Sequence, residues 1–352
     1  MSTIGFPILT LIMLMPLICA AIVFFIPGSQ INTMKKAAII CMGINLILSL
    51  FVFTQYDVST AGMQFVDRVT WSETLGVDYY MAVDGISAPL VLLTSMIIFA
   101  GTCISYDMHE RIKEFIIFLM FLVCGIYGVF MCQNLLFFYI FFEMALVPMY
   151  TLIGVWGNIR KDYAAMKLVL YLLIGSVFVM IGIISMYIYA SQSSVLGYPT
   201  LNMDELMMAN YSTSFQIFCY GFVAFGLSFL AKMFPFHTWS PLGYAAAPTA
   251  VSMLHAGVIV KLGGYGLIRL AVSFFPQGAQ FWAPVIGLLC MINIIYGACV
   301  AMVQKDMKLL VGYACVSHMG YILLGVSTLN LMSIAGAVSQ MVAHGLMTSM
   351  FF

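Results

Sequence analysis

Apolar residues in this chain come in runs of about 20, separated by short polar stretches, and each run is apolar nearly all round. A bilayer core about 30 Å thick takes about 20 helical residues, and helices buried in lipid and protein need no polar face. The pattern predicts eleven spans, at residues 6–26, 35–54, 84–105, 114–131, 134–155, 164–189, 213–234, 248–271, 281–303, 308–328 and 331–352. The first run is too long for the core of a cleaved leader and has no basic segment before it, so it reads as a retained span. Two longer polar stretches, 55–83 and 190–212, carry Asp57, Asp67, Asp78, Asp204 and Glu205. They read as packed caps, because neither is long enough to fold as a separate domain. The fold class expected is an all-α polytopic membrane protein, one integral-membrane domain over 1–352. The chain stops at MTSMFF, inside an apolar run and without a charge, so a truncated chain is expected.

Composition agrees with the pattern. Of 352 residues, 63% are hydrophobic and 7% charged, against about 25% charged in soluble domains, which excludes a water-soluble fold. The net charge of zero offers no basic surface for nucleic acid. The basic residues are unevenly placed: Lys35, Lys36, Arg111, Lys113, Arg160, Lys161, Lys167, Lys305 and Lys308 follow odd-numbered spans, whereas Arg68 and Arg269 lie on the other side. Lys/Arg excess marks the cytoplasmic face, so the N-terminus is expected to face outward. The nine cysteines form no CxxC pair and read as small packing residues rather than metal or cluster ligands. No glycine-rich phosphate or dinucleotide loop is present, so no cofactor or metal is expected in this chain.

Three charges fall inside apolar runs: Glu143 in LLFFYIFFEMALVPMY, Lys232 in FGLSFLAKMFPF and Lys261 in LHAGVIVKLGGYG. Each costs about 2.5–3.5 kcal/mol near mid-bilayer even on the lenient insertion scale, which marks it as functional. Pro235, Pro241 and Pro248 follow Lys232 closely and cannot all lie inside one regular helix. The seventh span should therefore break just after Lys232, continue as a short second piece, and give way to a new helix near Pro248. Broken membrane helices occur where protein or trapped water meets the freed backbone, and they commonly mark ion sites. Gly263, Gly264 and Gly266 allow close helix approach beside Lys261. Two lysines compete for Glu143 at membrane depth. A Glu–Lys pair about 7 Å apart is worth roughly 2.4 kcal/mol at an effective dielectric near 20, a size suited to loading and unloading a proton. His318 and His344 lie mid-span and His237 and His255 flank the break, extending a polar line through the membrane; Tyr171, Ser176, Ser252 and Ser317 could lengthen it through water.

These residues resemble the antiporter-like membrane subunits of respiratory complex I, the proton-translocating NADH:quinone oxidoreductase, most closely the M-type (chain 4) subunits. Three stretches carry the likeness: FFEMALVPMYTLIGVWGNIRKDYAAMKLVLYLLIGS, KMFPFHTWSPLGYAAAPTAVSMLHAGVIVKLGGYGLIR and QKDMKLLVGYACVSHMGYILLGV. The resemblance implies an inverted-repeat bundle: N-terminal helices over 1–106, a first repeat over 107–271 with the broken seventh helix, and a second repeat, incomplete, over 281–352. It places Glu143 as modulator, Lys232 as proton holder, Lys261 and His318 as relay, with His237 and His344 as further site residues. NADH, FMN, iron–sulfur clusters and quinone would belong to partner subunits, and the partners would be other membrane-arm subunits and the bilayer of a bacterial inner membrane. One departure is SPLGYAAAP, where many relatives have Leu-Pro-Asp-Ala-His; Ser240, Leu242 and Tyr244 stand there instead. A proton-motive force of about 180 mV sets roughly 4 kcal/mol per proton, more than one such pair supplies, so several coupled steps are expected. The alternatives are a subunit of a multi-subunit Na⁺/H⁺ antiporter or membrane-bound hydrogenase, or a non-pumping scaffold.

Overall fold

A computed structural model describes residues 7–60, 62–158, 160–192 and 197–352. The chain folds into α1 (Ile8–Phe25), α2 (Ile31–Thr54), a hairpin of β1 (Gln64–Ser72) and β2 (Val77–Val83), α3 (Ser87–Ile104), α4 (Ile112–Met131), α5 (Leu135–Trp156) and α6 (Lys161–Gln192). A single turn α7 (Met203–Leu206) precedes α8 (Thr213–Leu230), the short α9 (Trp239–Ala246), α10 (Thr249–Leu254) and α11 (Val260–Gly266). The chain continues through α12 (Pro276–Met302), α13 (Met307–Ser327) and α14 (Leu331–Phe351). Eleven helices among the described residues are long and apolar enough to cross a membrane, and they coincide with the eleven expected spans. The eighth of them, Thr249–Val272, is buried except at its two end residues. It packs against α3, α4, α8, α13 and α14 and forms the axis of the bundle.

Local chemistry sets the helix starts. Asn134, Asp306 and Asn330 accept backbone N–H bonds at the N-termini of α5, α13 and α14. α6 and α8 cross at Gly175 and Gly226, where a Cβ on either residue would lie 2.5–2.6 Å from the other's carbonyl oxygen. Only glycine permits that contact.

Where described, the two longer polar stretches are packed caps, and the first holds the antiparallel β1–β2 hairpin, an addition to the helical bundle. Its signal was present in VDYYMAV, rich in β-branched and aromatic residues just after a glycine. Arg68 bonds Asp78 (Nε to Oδ2, 2.8 Å) and Glu205 (3.2 Å), and Asn202 donates to Asp78 at 3.0 Å, which joins the two caps. The hydrogen bond to Asp78 holds the Arg68 guanidinium above its ordinary range. Burial, then the bond to Asp204, pushes the Tyr80 phenol up to about 12.

Candidate functional site

The seventh span breaks two residues earlier than its sequence suggests. α8 ends at Leu230, with Ala231 as its cap. The Lys232 N–H bonds the Phe229 carbonyl, and the Met233 N–H reaches back to Ser228 at 2.9 Å. This paired closure normally places glycine in a left-handed conformation. Here Lys232 occupies that position, at φ +59°, at a cost of roughly 1–2 kcal/mol. The Trp239 indole N–H then donates to the Phe229 carbonyl at 3.0 Å, folding α9 back against the end of α8. Pro241 sits in the first turn of α9, where a proline is tolerated, and Pro248 precedes α10.

The C-terminus of α9 is tied down from three directions. The Asn158 N–H donates to the Ala246 carbonyl at 2.8 Å, Lys308 Nζ to the Ala247 carbonyl at 3.0 Å, and the Ser252 hydroxyl to the Tyr244 carbonyl at 2.9 Å. The carbonyls that the break frees thereby find partners.

Lys232 and Lys261 are both fully buried. Lys232 Nζ donates to Tyr244 Oη at 2.7 Å and lies 4.8 Å from the centre of its ring. Lys261 Nζ turns back to the Ala256 carbonyl, inside a π-helical turn over His255–Ile259. Gly263 brings that helix against the break: a Cβ there would lie 2.6 Å from the Ala231 backbone nitrogen. The two lysines therefore sit on directly touching elements. His255 stacks on Trp239 and meets Tyr244 edge-on, with ring centres 5.2 and 4.7 Å apart. His237 packs against the rings of Phe234 and Tyr296. His318, half-buried, faces the buried His344 with ring centres 5.0 Å apart.

Glu143 stands apart. It lies in a groove between α5 and α6 with Leu146, Val147, Leu168, Val169, Leu172 and Leu173, beside a cavity of about 30 Å³. The ion pairs among the described residues are Arg68–Asp78, Arg68–Glu205, Arg111–Glu114 and Arg269–Asp84, so in this conformation neither buried lysine is paired with Glu143. α6 packs against both α5 and α8, between the carboxylate and the break. The ring nitrogens of His237, His255 and His344, Ser240 Oγ and one Glu143 oxygen are buried without a protein hydrogen-bond partner. Buried polar groups need partners, and each unmatched one asks for an explanation such as a proton-handling role or a bound water.

Three of the expected extensions of the polar line do other work. The Ser176, Ser252 and Ser317 hydroxyls donate to backbone carbonyls, which pins helices. Tyr171 does reach the break, accepting from Thr238 at 3.3 Å. Two features escaped sequence reasoning. Tyr244 registered only as a departure from a family pattern. Arg269, in the sequence a marker of orientation, is a buried residue paired with Asp84.

Residues 132–352 match the family described as "NADH:quinone oxidoreductase/Mrp antiporter, TM". The chain belongs to that family. It is 36% identical over 348 residues to NAD(P)H-quinone oxidoreductase chain 4 of Gloeobacter violaceus, covering 99% of this chain and 65% of the relative. Against a chain 4 of Microcystis aeruginosa it is 35% identical, covering 100% and 63%. The chain thus spans just under two thirds of the length of these curated relatives. Its fold is that of a chain in respiratory complex I from Thermus thermophilus with bound NADH, with a TM-score of 0.86 at 23% identity over 97% of this chain and 69% of that one. A chain of the Mrp complex from a Dietzia species matches with a TM-score of 0.83 at 20% identity, covering 97% and 37%.

Proposed function

We propose that this chain carries protons through the membrane as part of a chain-4-type membrane-arm subunit of an NAD(P)H:quinone oxidoreductase. Translocation would be driven by electron transfer in partner subunits, which in this reading hold the NADH, FMN, iron–sulfur clusters and quinone. The membrane is a bacterial inner membrane, with the N-terminus on the periplasmic side; the basic residues after odd spans support that orientation. Residues 107–271 form one antiporter-like repeat, and residues 281–352 belong to a second. The membrane-arm neighbours and the lipid are the partners.

The observation that carries the function is the pair of fully buried lysines at a helix break, neither matched by a carboxylate. A lysine with no carboxylate partner is costly to keep charged at this depth, and such residues mark proton and ion paths. An unpaired one belongs where a proton is taken up and released. Lys232 is the holder, Lys261 and His318 pass the proton onward in the membrane plane, and His237 and His344 lie on the same polar line. Glu143, one helix away, biases Lys232 when α5 and α6 move. The test is Lys232→Met in the assembled complex. Proton pumping is lost while assembly and NAD(P)H oxidation by the peripheral subunits persist, and Glu143→Gln weakens pumping in the same way. Undiminished pumping by Lys232→Met overturns the assignment.

A further inference from the structure

We propose that Tyr244 is a proton-relay residue, its hydroxyl accepting a proton from the Lys232 ammonium as it releases its own to the next polar group. The proposal rests on Lys232 being the proton holder. Its ground is the geometry of the break. Lys232 adopts a left-handed conformation that a lysine rarely takes, and its side chain ends 2.7 Å from Tyr244 Oη. Both residues are fully buried. An ammonium has three donors, and Tyr244 is the one partner of this nitrogen among the described residues.

The hydroxyl accepts from Lys232 and keeps its own hydrogen for a further acceptor. The polar groups beside it are Ser240, one helical turn earlier on α9, and His255, edge-on to its ring; Ser240 Oγ and both His255 nitrogens lack protein partners. The transfer balances without a phenolate. Lys232 loses one proton, Tyr244 gains one on oxygen and gives up another, and the next group, a water or the His255 imidazole, gains one. Tyrosine stays neutral throughout, as a fully buried hydroxyl requires. A tyrosine serving only as a packing surface would need no hydroxyl at the lysine. α9 itself is held at its far end by Asn158, Lys308 and Ser252, which fixes Tyr244 in place. The titratable groups around the pair are His255 and Lys261 of the eighth span, His237 in the break and Cys315 of α13.

The test uses the assembled complex in sealed membrane vesicles, with proton uptake measured against NAD(P)H oxidation from pH 6 to pH 8.5. Tyr244→Phe keeps the ring and removes the relay; pumping falls about a hundredfold, the lower end of what a positioned proton-transfer group supplies. Tyr244→His restores an exchangeable group. It pumps at near-native rate from pH 6 to pH 8.5, because a buried imidazole beside Lys232 stays neutral across that range. Native pumping and a native pH profile in Tyr244→Phe, with Lys232→Met inactive, overturn the relay alone. Equal loss in both Tyr244 variants at every pH, with normal amounts of complex, shows a packing role and also overturns it. Pumping by Lys232→Met overturns the underlying assignment of Lys232.

Discussion

The Asp84–Arg269 pair offers a stability prediction that depends on no assumption about pumping. Asp84 does two jobs. Its Oδ1 accepts the backbone N–H groups of Ile86 and Ser87 at 3.1 and 2.9 Å, which starts α3, and its Oδ2 pairs with Arg269. Arg269 Nε donates to the Tyr265 hydroxyl at 3.3 Å, and that hydroxyl donates to the Phe130 carbonyl at 3.0 Å. The network joins the start of α3, the eighth span and the end of α4. Asp84→Asn keeps the Oδ1 acceptor and removes the charge, leaving a guanidinium whose side chain is 9% exposed without its counter-ion. Breaking a buried pair from one side costs about 3–5 kcal/mol. Asp84 is itself 18% exposed, so the lower end, about 3 kcal/mol, is expected. On the entropy scale of soluble proteins, about 2.1 cal/mol/K per residue, that lowers the melting temperature of a chain this long by about 4 °C. Arg269→Met should cost less, because Asp84 retains its backbone donors and some solvent. The double variant Asp84→Asn/Arg269→Met removes both charges and should recover at least about 1.5 kcal/mol relative to the sum of the single changes. The assay is thermal unfolding of the purified complex in detergent, followed by loss of intact assembly. Additivity of the two changes within about 0.5 kcal/mol would mean that the pair is not coupled and would refute the reasoning.

Three further outcomes follow from other parts of the structure. Gly263→Ala places a methyl 2.6 Å from the Ala231 backbone nitrogen and should cost about 1–3 kcal/mol as overpacking; pumping should fall with it, whereas Gly336→Ala, where a Cβ meets nothing within 4 Å, should be silent in both measurements. Asp78→Asn weakens the bonds from Arg68 and Asn202 that join the caps. Because Arg68 is 45% exposed, the loss is about 1 kcal/mol, visible as faster limited proteolysis of the capped face. Reporters active only outside the cytoplasm should work when fused after Val58 and fail when fused after Met108; the opposite result would reverse the proposed orientation.

The spans and the break were legible because they depend on local chemistry. About 20 apolar residues need a helix in lipid, and three prolines within 14 positions cannot share one. The placement of Lys232 within the break was not legible to the residue. Nothing in FLAKMFPF announces that a lysine will take the left-handed closing position that glycine usually fills. Tyr244 became visible as a partner only once α9 had folded back. The role of Arg269 was hidden for a related reason: a basic residue near a span end has the same sequence signature whether it faces water or an aspartate across the bundle. Its partner Asp84 is 185 positions away.

The eighth span has a consequence in rotation. It contains two π-helical turns, His255–Ile259 and Leu267–Val272, on either side of the segment that carries Lys261 and Gly263. A π turn holds about one more residue than an α turn, and one residue is worth about 100° around the helix axis. The helix therefore stores slack on both sides of Lys261. Tightening one π turn while the other widens would swing that lysine around the axis of the bundle with both ends of the span, and every helix packed against them, left where they are.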